Sequence, residues 1–214
     1  MLFRSKLDGN RDVIFAGWSG EELGLHGSKA YVKMRRDGYM EEMMKAHAGI
    51  TGNAGKSGDG KSSPEVGPVK MDLKNIPIYG MISGCFNMDM VGRFDKKLIL
   101  QGIASSSDWR SAIERRNAPI GLPLSLVEDT NLPTDATSFY EAGVPILSAF
   151  TGSHSDYHTP RDTPEKLDYD KAAQIARLIG LLVREFSLSA APPTFTRAEQ
   201  KAQDRPRAGL RAYL

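Results

Sequence analysis

The chain has 214 residues, is 40% hydrophobic and carries a formal net charge of +2. That length and apolar content suffice for one cored domain, and the near-balanced charge, with no basic stripe interleaved with aromatics, gives no argument for nucleic-acid binding. Cys85 is the only cysteine, so no internal disulfide can form, and no apolar run is long enough to span a bilayer.

The chain opens on Met1-Leu2-Phe3-Arg4-Ser5-Lys6, which is not a signal peptide, because no apolar stretch follows it. Val13 to Trp18 reads as a buried strand, the first of the chain, with almost nothing in front of it. Ser19 and Glu22 have the spacing of a capping box, which predicts a helix from about Glu21 to Arg36. Asp37 to Ser83 reads as one long irregular stretch. Its part from Gly49 to Gly67 is rich in Gly, Ser and Lys and is expected to be mobile; Met40 to Met44 fits a short helix. Irregular stretches this long are usually functional or disordered, and a lid over a site is the functional version.

Cys85 to Met90 reads as a second buried strand and Lys97 to Gln101 as a third, of alternating type. Asp108 to Asn117 fits a helix capped by Ser107. Leu124 to Glu128 is a strand, Thr137 to Ala142 a short helix stopped by Gly143, and Val144 to Phe150 a buried strand. From Asp170 to Leu188 the apolar residues Ala172, Ile175, Ala176, Ile179, Leu182, Val183 and Phe186 follow the helical period. Ala191-Pro192-Pro193 ends the domain, taken as residues 1–190, and residues 191–214 read as a linker whose basic cluster, Arg197 to Arg211, is solvated. Strands alternating with helices predict a three-layer α/β/α domain with a central, mostly parallel (mixed) sheet.

Three segments carry chemistry. The doublet Glu21-Glu22 follows an apolar strand, at the kind of strand end where open α/β sheets keep their sites. Adjacent helical residues point roughly 100° apart, so the two carboxylates cannot share one task. One can ligate a metal while the other, beside the metal-bound water, acts as a general base. Read alone, the doublet is equally a helix cap. Asp89 sits in an apolar strand between Met88 and Met90, where a charge is costly unless paired or metal-bound; it is a metal ligand or a turn residue. His158 lies in a loop stiffened by Pro160, just past a buried strand. His154 is either a supporting residue or a plain loop histidine, His26 reads as a helix-surface residue, and His47 takes no role.

In combination, Trp18-Ser19-Gly20-Glu21-Glu22-Leu23-Gly24, Asn87-Met88-Asp89-Met90-Val91-Gly92-Arg93 and Ser155-Asp156-Tyr157-His158-Thr159-Pro160 resemble the M28 family of zinc aminopeptidases in order and spacing. Pro133-Thr134-Asp135-Ala136-Thr137-Ser138-Phe139 also resembles it, with Ala136 where a histidine is common. The resemblance implies a zinc-exopeptidase-like fold that removes N-terminal residues from peptides. It makes Glu21 the general base, Glu22 and His158 ligands of one zinc, and Asp89 a ligand of a second. Tyr157, Asp135 and His154 fall behind the ligands or against substrate.

The family also carries a histidine and a metal-bridging aspartate upstream of the doublet. Only twenty residues precede Glu21, and none is His. The chain therefore holds three of the five protein ligands that the resemblance implies. The expectation is an N-terminally incomplete domain, at most one weak metal site, and little turnover. The run Arg205 to Leu214 resembles the approach to a PDZ-like domain. Enzymes of this resemblance are usually extracellular or periplasmic. Rival expectations are a non-catalytic binding module on the same scaffold, and a related carboxypeptidase or glutaminyl cyclase.

Overall fold

The computed structural model describes residues 2–5, 9–52, 78 and 80–198. Of the stretch 37–83 expected to form a lid, residues 53–77 and 79 lie outside the described residues, as does the tail from 199 onward. Four strands form the central sheet: β3 (Cys85–Met88), β4 (Leu98–Gln101), β5 (Leu124–Val127) and β6 (Ile146–Phe150). Their order is β3-β6-β4-β5, with β3/β6 and β4/β5 parallel and β4/β6 antiparallel, so the sheet is mixed and mostly parallel as expected.

Side chains alternate across a strand, and the core divides accordingly. Leu98, Leu100, Leu147 and Ala149 face α2 (Trp109–Asn117) and α4 (Tyr169–Leu188) and pack on Trp109, Ile113, Ile175, Leu178 and Leu182. Val144 and Ile146 face the other way, toward Val32 of α1 (His26–Gly52) and Ala136 and Phe139 of α3 (Ala136–Glu141). The result is the expected three layers. Each fully buried Leu or Ile contributes about 1.5–3 kcal/mol of transfer free energy. Trp109 anchors the first core: its ring meets Phe86 at 5.4 Å and Phe186 at 5.1 Å, and its Nε1 donates to Ser105 Oγ at 3.0 Å.

Several local expectations change. Val13–Ala16 is a strand, β2, but not a buried one: Ile14 is 43% and Phe15 59% exposed. Among the described residues it pairs only with β1 (Leu2–Ser5), antiparallel, in a two-stranded sheet separate from the central one. A strand therefore does precede Val13. Helix α1 begins at His26, not Glu21, and runs through Met40–Met44 to Gly52, replacing the first part of the expected irregular stretch. Asp108, not Ser107, is the residue at the start of α2. Its N–H donates to Ser106 Oγ at 3.2 Å.

Two contacts tie the ends of the described chain to the layers. Arg11 Nη1 donates to the carbonyls of Phe186 (2.9 Å) and Ser189 (2.7 Å), at the end of α4 where carbonyls lack helical partners. Residues 191–198 run back over the domain: the N–H of Thr194 donates to Asp108 Oδ2 at 2.7 Å and that of Thr196 to the Ser105 carbonyl at 2.8 Å.

On the outer face of α4, Glu185 accepts hydrogen bonds from Arg115 and Arg116 of α2. Burial raises its pKa, but the two guanidinium groups outweigh burial and leave it below the ordinary 4.5. A depressed carboxylate stabilises the fold above its unfolded pKa and loses that contribution as pH falls through the folded value. Glu185→Gln should therefore melt below the wild type at neutral pH, and the gap should close as pH drops below about 4.5. A gap of constant size across that titration would contradict the assignment.

Candidate active site

The doublet sits in a tight turn between β2 and α1. Gly20 (φ 70°), Gly24 (φ 114°) and Leu25 (φ 62°) are left-handed, which a right-handed helix cannot accommodate. This is why the capping-box pattern misleads. Ser19 does serve the turn, but through its backbone carbonyl, which accepts from the Gly27 N–H at 2.9 Å. A Cβ on Gly27 would lie 2.9 Å from both the N and the O of Ser19, so only glycine permits this closure. Trp18 anchors the turn against Tyr31 (5.2 Å) and Phe139 (5.8 Å).

Asp89 follows β3 directly, and its N–H extends the ladder by one bond to the Ala149 carbonyl at 3.0 Å. Met90 (φ 49°) then turns the chain out of the sheet. His158 lies in the loop after β6, the strand beside β3, so both residues leave the same end of a parallel pair. From opposite halves of the chain, His158 Nε2 and Glu22 Oε1 meet at 2.8 Å. Tyr157 stacks on the His158 ring at 3.8 Å and 22°.

Beside this contact is a cleft of about 280 Å³ lined by Trp18, Glu21, Asn87, Asp89, Thr134 and Asp135, among others. Three carboxylates thus share one cavity. Glu21 is raised above its ordinary pKa, first by burial, then by Glu22, Asp89 and Asp135, with His158 opposing. Asp89 is raised by burial and by Glu22 and Asp135, against a backbone hydrogen bond from Met90. Tyr157 is raised by burial and by Glu22, Asp89 and Glu21. Glu21 therefore lies within the field of Glu22, Asp89, Asp135 and His158, and Asp89 within that of Glu22 and Asp135. Asp135 Oδ1 and Thr134 Oγ1 are buried with no hydrogen-bond partner, in residues that line the cleft. Buried polar atoms ordinarily have partners, so this pair is where a polar ligand would be accommodated.

His154 stands 3.7 Å from Asp162 through Nε2, and its buried Nδ1 has no partner. It is not among the residues that line the cleft. His26 is exposed, as expected.

The sequence reading gave no part to the ion pairs that hold the His158 loop. Arg93 bonds Asp156 at 3.0 Å and Asp162 at 2.5 Å, and Lys166 reaches Asp156 at 2.8 Å. Asp156 is held down to about 2 by Lys166 and Arg93, against burial. The only advance signal was the acid-rich spacing of Asp156 and Asp162 around His158. These contacts are needed, because His158 has φ 55°. Left-handed backbone outside glycine costs about 1–3 kcal/mol, more than the roughly 0–1 kcal/mol of an exposed ion pair. Glu22 (64% exposed) and His158 (58%) are both open to solvent, so their mutual contact does not hold the loop.

A carboxylate and an imidazole suit zinc, and two of the usual three protein donors of a catalytic zinc meet here. Among the described residues, no group of three or more His, Cys, Asp or Glu side chains is arranged to hold a metal ion. The donor types fit; among the described residues their number is short of a complete site.

Fold and cleft together define a class: a three-layer α/β protein with an acidic site at the strand ends. The sequence model of peptidase family M28 matches residues 2–183, and the chain belongs to that family. Its fold is similar to the LapA aminopeptidase of Legionella pneumophila (TM-score 0.57, 17% identity, covering 87% of this chain and 42% of that one). It is also similar to BSAP, a zinc aminopeptidase from Bacillus subtilis (0.56, 21%, 86% and 38%). A third likeness is to an aminopeptidase from Aneurinibacillus sp. strain AM-1 (0.53, 20%, 88% and 36%). The chain spans about two fifths of the length of these structures. No curated protein matches it.

Proposed function

We propose that this site belongs to a zinc-dependent aminopeptidase. The observation that carries the reading is the 2.8 Å approach of Glu22 and His158 beside a cleft that contains Glu21 and Asp89. Glu22 and His158 would hold one ion, with Asp89 donating to a second. Bound zinc supplies Lewis acidity toward the scissile carbonyl and lowers the pKa of water. The chain's own part is proton transfer and orientation. Glu21, with its elevated proton affinity, takes a proton from the attacking water and delivers it to the departing amine. Asp135 and its neighbours give the cleft a negative field that suits the ammonium group of a peptide N-terminus.

The incomplete donor set has a consequence. The 214-residue chain should hydrolyse leucyl-p-nitroanilide only with zinc added, at less than about 1 per second, the low end of ordinary enzymes. Turnover well inside the ordinary range, or turnover indifferent to chelator, would overturn this account of the ligands. Zinc uptake without hydrolysis would favour a binding module on a peptidase scaffold.

A further inference from the structure

We propose that Arg93 is a positioning residue that locks the loop bearing His158 to the turn bearing Asp89, and so sets the approach of His158 to Glu22. The proposal rests on the zinc reading above for its consequence, and on contacts among residues 90–93 and 151–168 for its substance.

Strands β3 and β6 are hydrogen-bonded neighbours and the ladder reaches as far as the Asp89 N–H, but His158 lies beyond the sheet, where the ladder no longer fixes it. What joins the two segments there is a set of cross-contacts. Thr151 Oγ1 donates to the Met90 carbonyl, and the Asp168 N–H donates to the Gly92 carbonyl at 2.9 Å. A Cβ on Gly92 would lie 2.8 Å from Leu167 Cδ2, so the segments touch at that point. These bonds fasten the base of the loop. Among the described residues, Arg93 is the one that reaches its working part from the Asp89 side: Nη2 to Asp156 and Nη1 to Asp162, on either side of His158. The side chain is 19% exposed and Asp156 is 12% exposed, so solvent competes weakly.

One guanidinium thus spans the segment in which the left-handed His158 must be held. The choice of arginine follows from shape. A planar fork can donate to two carboxylates at once, whereas an ammonium is a point charge. Lys166 shows the difference, since it reaches Asp156 but has no contact with Asp162. Lys166 also makes the proposal testable, because without Arg93 it still neutralises Asp156. The fold has no new unpaired buried acid, while Asp162 keeps only the distant His154 and the loop loses its outer grip.

The test compares wild type, Arg93→Ala, Arg93→Lys and, as a control for lost surface charge, Arg110→Ala, all in the full chain. Zinc affinity is read by calorimetry, and amide hydrogen exchange across residues 154–162 is read without metal. Arg93→Ala should weaken zinc binding about tenfold or more, the usual effect of removing a residue that orients a ligand. Exchange across the loop should accelerate, with a melting temperature near that of the wild type. Arg93→Lys should fall between the two, and millimolar guanidinium should restore part of the affinity of Arg93→Ala without affecting the wild type. Wild-type zinc affinity in Arg93→Ala, or an equal loss in Arg110→Ala, overturns the proposal. If the wild type takes up no zinc, the zinc reading fails by itself and exchange decides Arg93: acceleration supports the clamp and unchanged exchange overturns it. If Arg93→Ala does not fold, Arg93→Lys carries the same comparison.

Discussion

Replacing His158 with alanine should cost the chain its zinc. The expected loss in calorimetric affinity exceeds the roughly 10–100-fold typical of residues that merely orient a ligand. The reasoning is from donor count. Glu22 and His158 are the two donors that meet, and with the imidazole gone a single carboxylate on a turn remains. His158 is 58% exposed, so the same substitution should leave the melting temperature almost unchanged, surface changes being typically within about 0.5 kcal/mol. Glu22→Gln should behave in the same way. If the contact were only an exposed ion pair, neither variant would alter zinc uptake, and equal affinities would show this.

Glu21→Gln should separate binding from chemistry. Glu21 lines the cleft and takes no part in the Glu22–His158 contact, so zinc uptake should stay near that of the wild type. The zinc-stimulated hydrolysis should fall by about 10²–10⁴, the usual contribution of a general base, or roughly 3–5 kcal/mol in the barrier. Glutamine keeps the shape of the side chain and removes its ability to accept the proton. The measurement is kcat on leucyl-p-nitroanilide at saturating zinc. Undiminished kcat would remove Glu21 from the mechanism, whereas loss of both kcat and zinc would move it into the ligand set.

The layers of the fold were legible because helices and buried strands write themselves in apolar periodicity. Ile175, Ile179 and Leu182 repeat at helical spacing, and all three are buried against the sheet. Val144 and Ile146 alternate with Leu147 between two cores, as a strand covered on both faces must. Val13–Ala16 was misread for the same reason. Its apolar run reads as buried, but burial depends on what covers a strand, and among the described residues β1 is the only strand it pairs with. The turn at Glu21-Glu22 was hidden by a helix-start pattern that the left-handed Gly20, Gly24 and Leu25 override.

The same contrast runs through the site. Glu22, Asp89 and His158 could be singled out by residue type and by their place after apolar strands, while the roles given to them came from the family resemblance. Arg93 could not, because its meaning lies in two partners, one on either side of a histidine in a distant loop. Asp135 was placed behind the ligands or against substrate by the family resemblance, but that its Oδ1 is buried without a partner is visible only in the structure. Here its side chain makes no cap hydrogen bond.

The most direct test is anomalous diffraction at the zinc edge from crystals of the chain grown with zinc. A peak between Glu22 Oε1 and His158 Nε2, with Asp89 and Glu21 facing it across the cleft, is the predicted result. Zinc bound elsewhere, with those two side chains still paired to each other, would contradict it.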